Sequence, residues 1–169
     1  MGSRALGPRD GIPLREARVI GEDEGGTGQP RWARTRARAW ALQVLYRWES
    51  EGDGSPGASL ADTLRARRVA PERREHLKRI VEGLDKHRRE VDEALRAVLE
   101  NWRLERLSVI DRSVLRIGAV EMLYLEDVPP RVAIQEAVRL AQRYGGRESA
   151  AFVNGVLDAL LRERVAGSS

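Results

Sequence analysis

Ser108-Val-Ile-Asp-Arg-Ser-Val-Leu-Arg-Ile-Gly-Ala-Val-Glu-Met-Leu-Tyr-Leu125 is apolar on almost every side, with Asp111, Arg112, Arg116 and Glu121 as its polar exceptions. A helix that is apolar around its circumference must be enclosed by protein. The stretch therefore predicts a central helix with others packed about it. Downstream, Pro129 and Pro130 stop one helix and start the next, which carries Val132, Ala133, Ile134, Ala137, Val138, Leu140 and Ala141 before Tyr144-Gly145-Gly146 closes it. A last helix is read from about Glu148 to Arg164. Upstream, Pro71 suits a first helical turn, and residues 72–100 run on through Leu77, Ile80, Val81, Leu84, Val91 and Leu95, with Gly83 as the expected kink. A shorter helix is placed at 58–68. The first begins at Arg31, since Ala37, Trp40, Ala41, Val44, Leu45 and Trp48 share one helical face before Glu51-Gly-Asp-Gly-Ser-Pro-Gly57 ends the run. Six or seven helices with short connections predict an all-α compact bundle.

A chain of 169 residues holds one domain with a sizeable core. Residues 31–165 are assigned to it. Residues 1–30, rich in Gly, Pro and charge and without sustained apolar period, read as a disordered N-terminal extension. There is no cysteine, which excludes disulfides, thiolate zinc sites and a cysteine nucleophile. Neither a membrane span nor a secretory h-region is present, so the cytoplasm is the expected location.

Catalytic chemistry finds no foothold. His76 and His87, the two histidines, are eleven residues apart in one long helix, about three turns, too far to share a metal. They are read as solvated or partly packed. Gly25, Gly26 and Gly28 lack the preceding strand and following Lys-Ser/Thr of a phosphate loop. No triad, zinc signature or dinucleotide fingerprint appears, so neither metal, cofactor nor enzymatic activity is expected.

Two local rules are broken instead. Residues 31–48 carry five arginines and no acid, whereas the 21 basic and 21 acidic side chains from 49 onward cancel. The excess charge is concentrated at the start of the first helix, where the macrodipole disfavours cations by roughly 0.3–1 kcal/mol each. Arg31, Arg34 and Arg38 form one stripe flanking the apolar face and Arg36 falls on the other side. Such a cluster suits a nucleic-acid strand, gripped through phosphates, with Trp32 as a stacking face. The second irregularity is Phe152-Val-Asn-Gly-Val-Leu157, where helical period runs through Asn-Gly. Gly inside a helix is unfavourable by about 1 kcal/mol against Ala. The reading is that Gly155 admits a close helix neighbour while Asn154 bonds a nearby loop.

Arg34-Thr-Arg-Ala-Arg38 with Ala41-Leu-Gln-Val-Leu-Tyr46, Ile110-Asp-Arg-Ser-Val-Leu-Arg-Ile117, Val128-Pro with Val132-Ala-Ile-Gln-Glu-Ala137, and Tyr144-Gly with Phe152-Val-Asn-Gly-Val-Leu157 resemble, in order and spacing, the NusB family of bacterial transcription antitermination factors. The resemblance covers about 31–163. Thr35 within the basic run, Gln135 where Asn is usual and the long extension depart from the pattern.

The resemblance implies two three-helix bundles set across each other. It also implies binding of single-stranded boxA RNA from ribosomal RNA leaders, jointly with the ribosomal protein NusE, and retention of that RNA on elongating RNA polymerase. RNA contacts implied by it are Arg34, Arg36 and Arg38 on the first helix and Tyr144, Glu148 and Phe152 at the start of the last. Asp111 is implied to face NusE. Rival readings are a protein-only helical scaffold or accessory domain, such as that of an RNA methyltransferase, and a helical duplex-DNA regulator, for which no recognition helix after a tight turn is evident. Apolar patterns leave a homodimer open.

Overall fold

The computed structural model describes residues 30–168, and the extension assigned to 1–30 lies outside them except for Pro30. Six α-helices occupy the described residues: α1 (Arg31–Glu51), α2 (Pro56–Ala66), α3 (Pro71–Val98), α4 (Val109–Tyr124), α5 (Pro130–Tyr144) and α6 (Ser149–Gly167), with a single 3₁₀ turn at Leu104–Arg106 before α4. The first three helices pack on one another, as do the last three, and α4 lies against α1 and α3 as well as α5 and α6. The all-helical bundle and the central helix are as the sequence predicts. Eleven of the residues in α4, from Ile110 to Met122, are buried, and that is why its apolar surface runs all the way round.

Local chemistry sets the boundaries. Gly52 ends α1 in the left-handed region at φ 75°, its N–H donating to the Trp48 carbonyl. The second helix starts at Pro56, two residues before the expected 58, because Ser55 Oγ accepts the Ala58 N–H at 3.1 Å and proline suits the first turn. Ser108 Oγ caps α4 in the same way, accepting the Asp111 N–H at 3.1 Å.

Three glycine and histidine expectations need correction. The kink in α3 falls at His87 (φ −116°, ψ 20°), where the imidazole stacks flat on Tyr124 with ring centroids 3.9 Å apart. Gly83 does not bend the helix; a Cβ there would lie 3.0 Å from Val120 Cγ1, so glycine lets α4 approach. The close approach assigned to Gly155 belongs to Gly118, whose Cβ would meet Leu157 Cδ1 at 2.6 Å. Gly155 has nothing within 4 Å. Asn154 is exposed and bonds no loop. Finally, His76 is neither solvated nor partly packed but fully buried, at 1% exposure.

Candidate nucleic-acid interface

The arginines at the start of α1 divide into two sets. Two residues apart at about 100° each, Arg36 and Arg38 leave the helix on opposite sides. Arg38 turns into the bundle, where it is 2% exposed. Its Nε and Nη2 donate to Glu121 Oε1 and Oε2 at 2.7 and 2.8 Å, a two-pronged pairing with α4, and Glu136 of α5 stands 3.8 Å away. His76 of α3 joins at 2.9 Å from Glu121 Oε2. Burial drives the Glu121 pKa upward, but the hydrogen bonds from His76 and Arg38 outweigh it and hold the carboxyl below its usual range. As a carboxylate, Glu121 only accepts, so His76 donates through Nε2–H. Burial, set against the bond to Glu121, leaves the imidazole pKa below its ordinary value, and the neutral ring keeps its Nδ1 unprotonated and without a partner. Arg38 is therefore a bundle-fastening residue. The expectation that it contacts RNA directly does not fit its enclosure.

Arg34 is partly exposed and engages Asp127 in the α4–α5 connection at 2.6 Å, where Arg79 of α3 also donates to the same carboxylate. Those two hydrogen bonds, led by that of Arg79, hold the Asp127 pKa well below the carboxylate range. Thr35, the interruption of the basic run, donates to Glu136 at 3.1 Å. Arg36 differs from Arg34 and Arg38 in forming no salt bridge with any described residue; its Nε, like that of Arg34, lies shielded with no hydrogen-bond partner.

The side chain beside Arg36 is Arg73, from the first turn of α3, and sequence reasoning missed it. Its guanidinium sits 5.6 Å over the Trp32 ring. Burial first, and the charge of Arg36 second, lower its pKa, and its Nε likewise lacks a partner. Glu72 opposes this lowering by its charge but forms no salt bridge with Arg73. Two guanidinium groups near an indole, with no carboxylate of the described residues bonded to either, make a site that favours an anion. Nothing local in the sequence signals this, since Arg36 and Arg73 are brought together by α1 packing on α3.

The other predicted residues sit apart from this cluster. Along α5, Tyr144 is eight residues from Glu136, about 12 Å at 1.5 Å per residue. Exposed Arg139 and Arg143 punctuate that path, the latter 5.8 Å over the Tyr144 ring. Glu148 is exposed at the α6 N-terminus and caps nothing with its side chain. Phe152, one turn on, meets Trp102 edge to face at 5.9 Å. Asp111 is half-buried at the start of α4, next to Arg112, which pairs with Glu49 near the end of α1. It thus lies at the opposite end of α1 from the arginines. Among the described residues no group of three His, Cys, Asp or Glu side chains is placed to hold a metal, and no helix is long and apolar enough to cross a membrane.

Residues 35–162 match the model of the NusB family. The chain belongs to the NusB family. It is 44% identical over 128 residues to the transcription antitermination protein NusB of Sorangium cellulosum, covering 76% of this chain and 91% of that protein. With its Bacillus cereus counterpart the identity is 40% over 124 residues, covering 73% and 93%. Among solved structures, T. maritima NusB is similar at 34% identity and a TM-score of 0.69, over 77% of this chain and 91% of that one. A crystal structure of the antitermination factors NusB and NusE in complex with dsRNA is similar at 28% identity and a TM-score of 0.69, covering 79% and 98%. By membership in the NusB family this chain is a transcription antitermination factor and not an enzyme.

Proposed function

We propose that this NusB-family chain binds single-stranded boxA RNA of ribosomal RNA leaders in the cytoplasm, jointly with NusE, and holds it on elongating RNA polymerase so that termination is resisted. The observation that carries the reading is the Arg36–Arg73 pair beside Trp32, which has no bridging carboxylate among the described residues. Salt-bridged surfaces gain little from a phosphate because a carboxylate must first be displaced; here no carboxylate of the described residues is bonded to either guanidinium. The similar solved complex of NusB and NusE with dsRNA supports the part of this reading that pairs RNA with NusE.

In this proposal Arg36 and Arg73 bind phosphate, Arg34 joins them by releasing Asp127, and Arg38 holds α1 in place from behind. Tyr144, Glu148 and Phe152 contact the strand farther on, and Asp111 faces NusE at the other end of the bundle. The test is a fluorescence titration with boxA RNA at several salt concentrations, with and without NusE, alongside the mass of each species in solution. Losing two phosphate contacts in an Arg36→Ala/Arg73→Ala variant should flatten the log–log salt slope by about 1.4, at about 0.7 per contact for a single strand. An unchanged affinity and slope would sink the proposal, as would binding of NusE without any RNA affinity, which is the behaviour of a protein-only scaffold. Asp111→Lys should weaken NusE binding and leave the affinity for RNA alone intact.

A further inference from the structure

Gly155 stands in the middle of α6 with helical backbone geometry and open space where a side chain would go. Neither turn geometry nor helix packing accounts for it, although glycine in that position weakens the helix. What it does line is a cleft of about 270 Å³ between α6 and the segment following α3, walled by Trp102 and Phe152 and floored by Val98, Leu99 and Val156. This is smaller than the roughly 300–1,000 Å³ of sites that enclose drug-sized ligands. It has room for one flat ring and not for a helix.

Trp102 is 61% exposed, and among the described residues the only other large apolar side chain so exposed is Val165. The Trp102 and Phe152 planes are 70° apart, so each leaves a face uncovered by the other. The rim is polar and charged: Glu100, Asn101 and Arg162 line it. Arg103 and Arg106, exposed in the same connecting segment, form no salt bridge with any described residue.

We infer that the Trp102–Phe152 cleft, kept open by Gly155, is a slot for one unstacked nucleobase of the bound RNA. The inference rests on the RNA reading above and adds to it the residues that take a base out of the strand. Stacking on an aromatic face suits any base, and the carboxylate and amide on the rim suit the amino and carbonyl groups of its edge. Arg162 on the rim and Arg103 and Arg106 in the adjoining segment suit the phosphates of the strand. An apolar protein side chain would use the rings but leave those cations unanswered, which is why a nucleotide is the better fit.

Three variants test it in the same titration with boxA RNA, each checked by thermal unfolding. Gly155→Leu grows from a position where a Cβ meets nothing within 4 Å and extends into the slot, Trp102→Ala removes an exposed wall, and Gly155→Ala is the folding control, expected to raise Tm by about 2–4 °C. Gly155→Leu and Trp102→Ala should each weaken RNA binding by about tenfold with the salt slope unchanged, unlike Arg36→Ala/Arg73→Ala. RNA carrying a single abasic nucleotide, moved along boxA, should lose the same factor at one position with the unsubstituted protein and nothing further there with Trp102→Ala. Full RNA affinity in both slot variants overturns the inference while leaving the RNA reading standing. So does an abasic series with no position coupled to Trp102, or a loss confined to NusE binding, which would mark a protein side chain as the occupant. Absence of RNA binding by the unsubstituted protein removes the underlying reading itself.

Discussion

Arg36 and Arg38 carry the same side chain two residues apart on α1, and their surroundings could hardly differ more. Arg38 is enclosed among α1, α3, α4 and α5 with Glu121 as a two-pronged acceptor and His76 alongside. Arg36 lies on the other side with Arg73 and Trp32 for company and no carboxylate of the described residues bonded to it. An arginine cluster is thus a composite: part of it fastens helices and part is available to a partner. Concentration of charge in the sequence does not separate the two, but helical azimuth and the location of acids on other elements do.

Four measurements would break or sharpen that contrast. The largest stability effect is expected for Arg38→Ala. Removing one partner from a buried, hydrogen-bonded ion pair leaves Glu121 with no cation and only the neutral His76 as donor, with a loss of about 3–5 kcal/mol in a denaturant titration. Any fall in RNA affinity should then track the folded fraction. A fully folded Arg38→Ala that has lost RNA binding would reverse the roles assigned to the two arginines.

Second in size is the pH dependence of the same cluster. His76 takes up a proton more readily unfolded than folded, so folding releases protons. Its contribution is therefore complete above the ordinary histidine pKa of about 6.5 and is lost as pH falls through the lower folded value. Glu121, also lowered, adds a loss of the same sign once pH drops below about 4.3. Stability measured from pH 8 to 5 should decline, and His76→Gln, which keeps a donor for Glu121 but cannot titrate, should flatten the decline above pH 5. An equal slope in both proteins would count against His76 as its source.

Asp127→Asn comes next. The ion pairs it removes from Arg34 and Arg79 join side chains between a quarter and a half exposed, so the stability change should stay under about 1 kcal/mol. Because two arginines are released, RNA affinity should rise and the salt slope steepen; a decrease would mean that the carboxylate positions Arg34 for binding. Smallest of all is the stability effect of Arg36→Ala alone, within about 0.5 kcal/mol for a residue with no bonded partner. That near-zero value, set beside a measurable drop in RNA affinity, is the reciprocal of the Arg38 result.

How much of this was legible in the chain depends on the range of the forces involved. The all-helical fold was readable from residues 108–125 because burial on every side leaves a local compositional trace. The site was readable only as a neighbourhood. Arg34 and Arg38 were visible as a stripe beside the apolar face of α1, which already placed them where neighbouring helices would reach; their acceptors, Asp127 and Glu121, are 93 and 83 residues away and carry no local mark. Arg73 was invisible as a partner of Arg36 for the same reason. Gly155 was noticed as an irregularity and assigned to packing, because a glycine in a helix looks the same in sequence whether it faces a neighbour, as Gly118 does, or an empty cleft.

The polar exceptions on α4 carry a final consequence. At one end Arg112 and Arg116 reach Glu49 of α1 and Asp92 of α3; at the other Glu121 receives Arg38 and His76. Arg112 and Glu121 are about 13 Å apart along the axis, and their signs are opposite. A greasy rod alone has many nearly equivalent seatings, related by a slide of one turn or a small rotation. Here a slide would pull both ends from their sockets together, and an end-for-end reversal would set carboxylate against carboxylate at one socket and cation against cation at the other. The helix is keyed like a shaft, and the key, more than the grease, decides where along its length the rest of the protein is mounted.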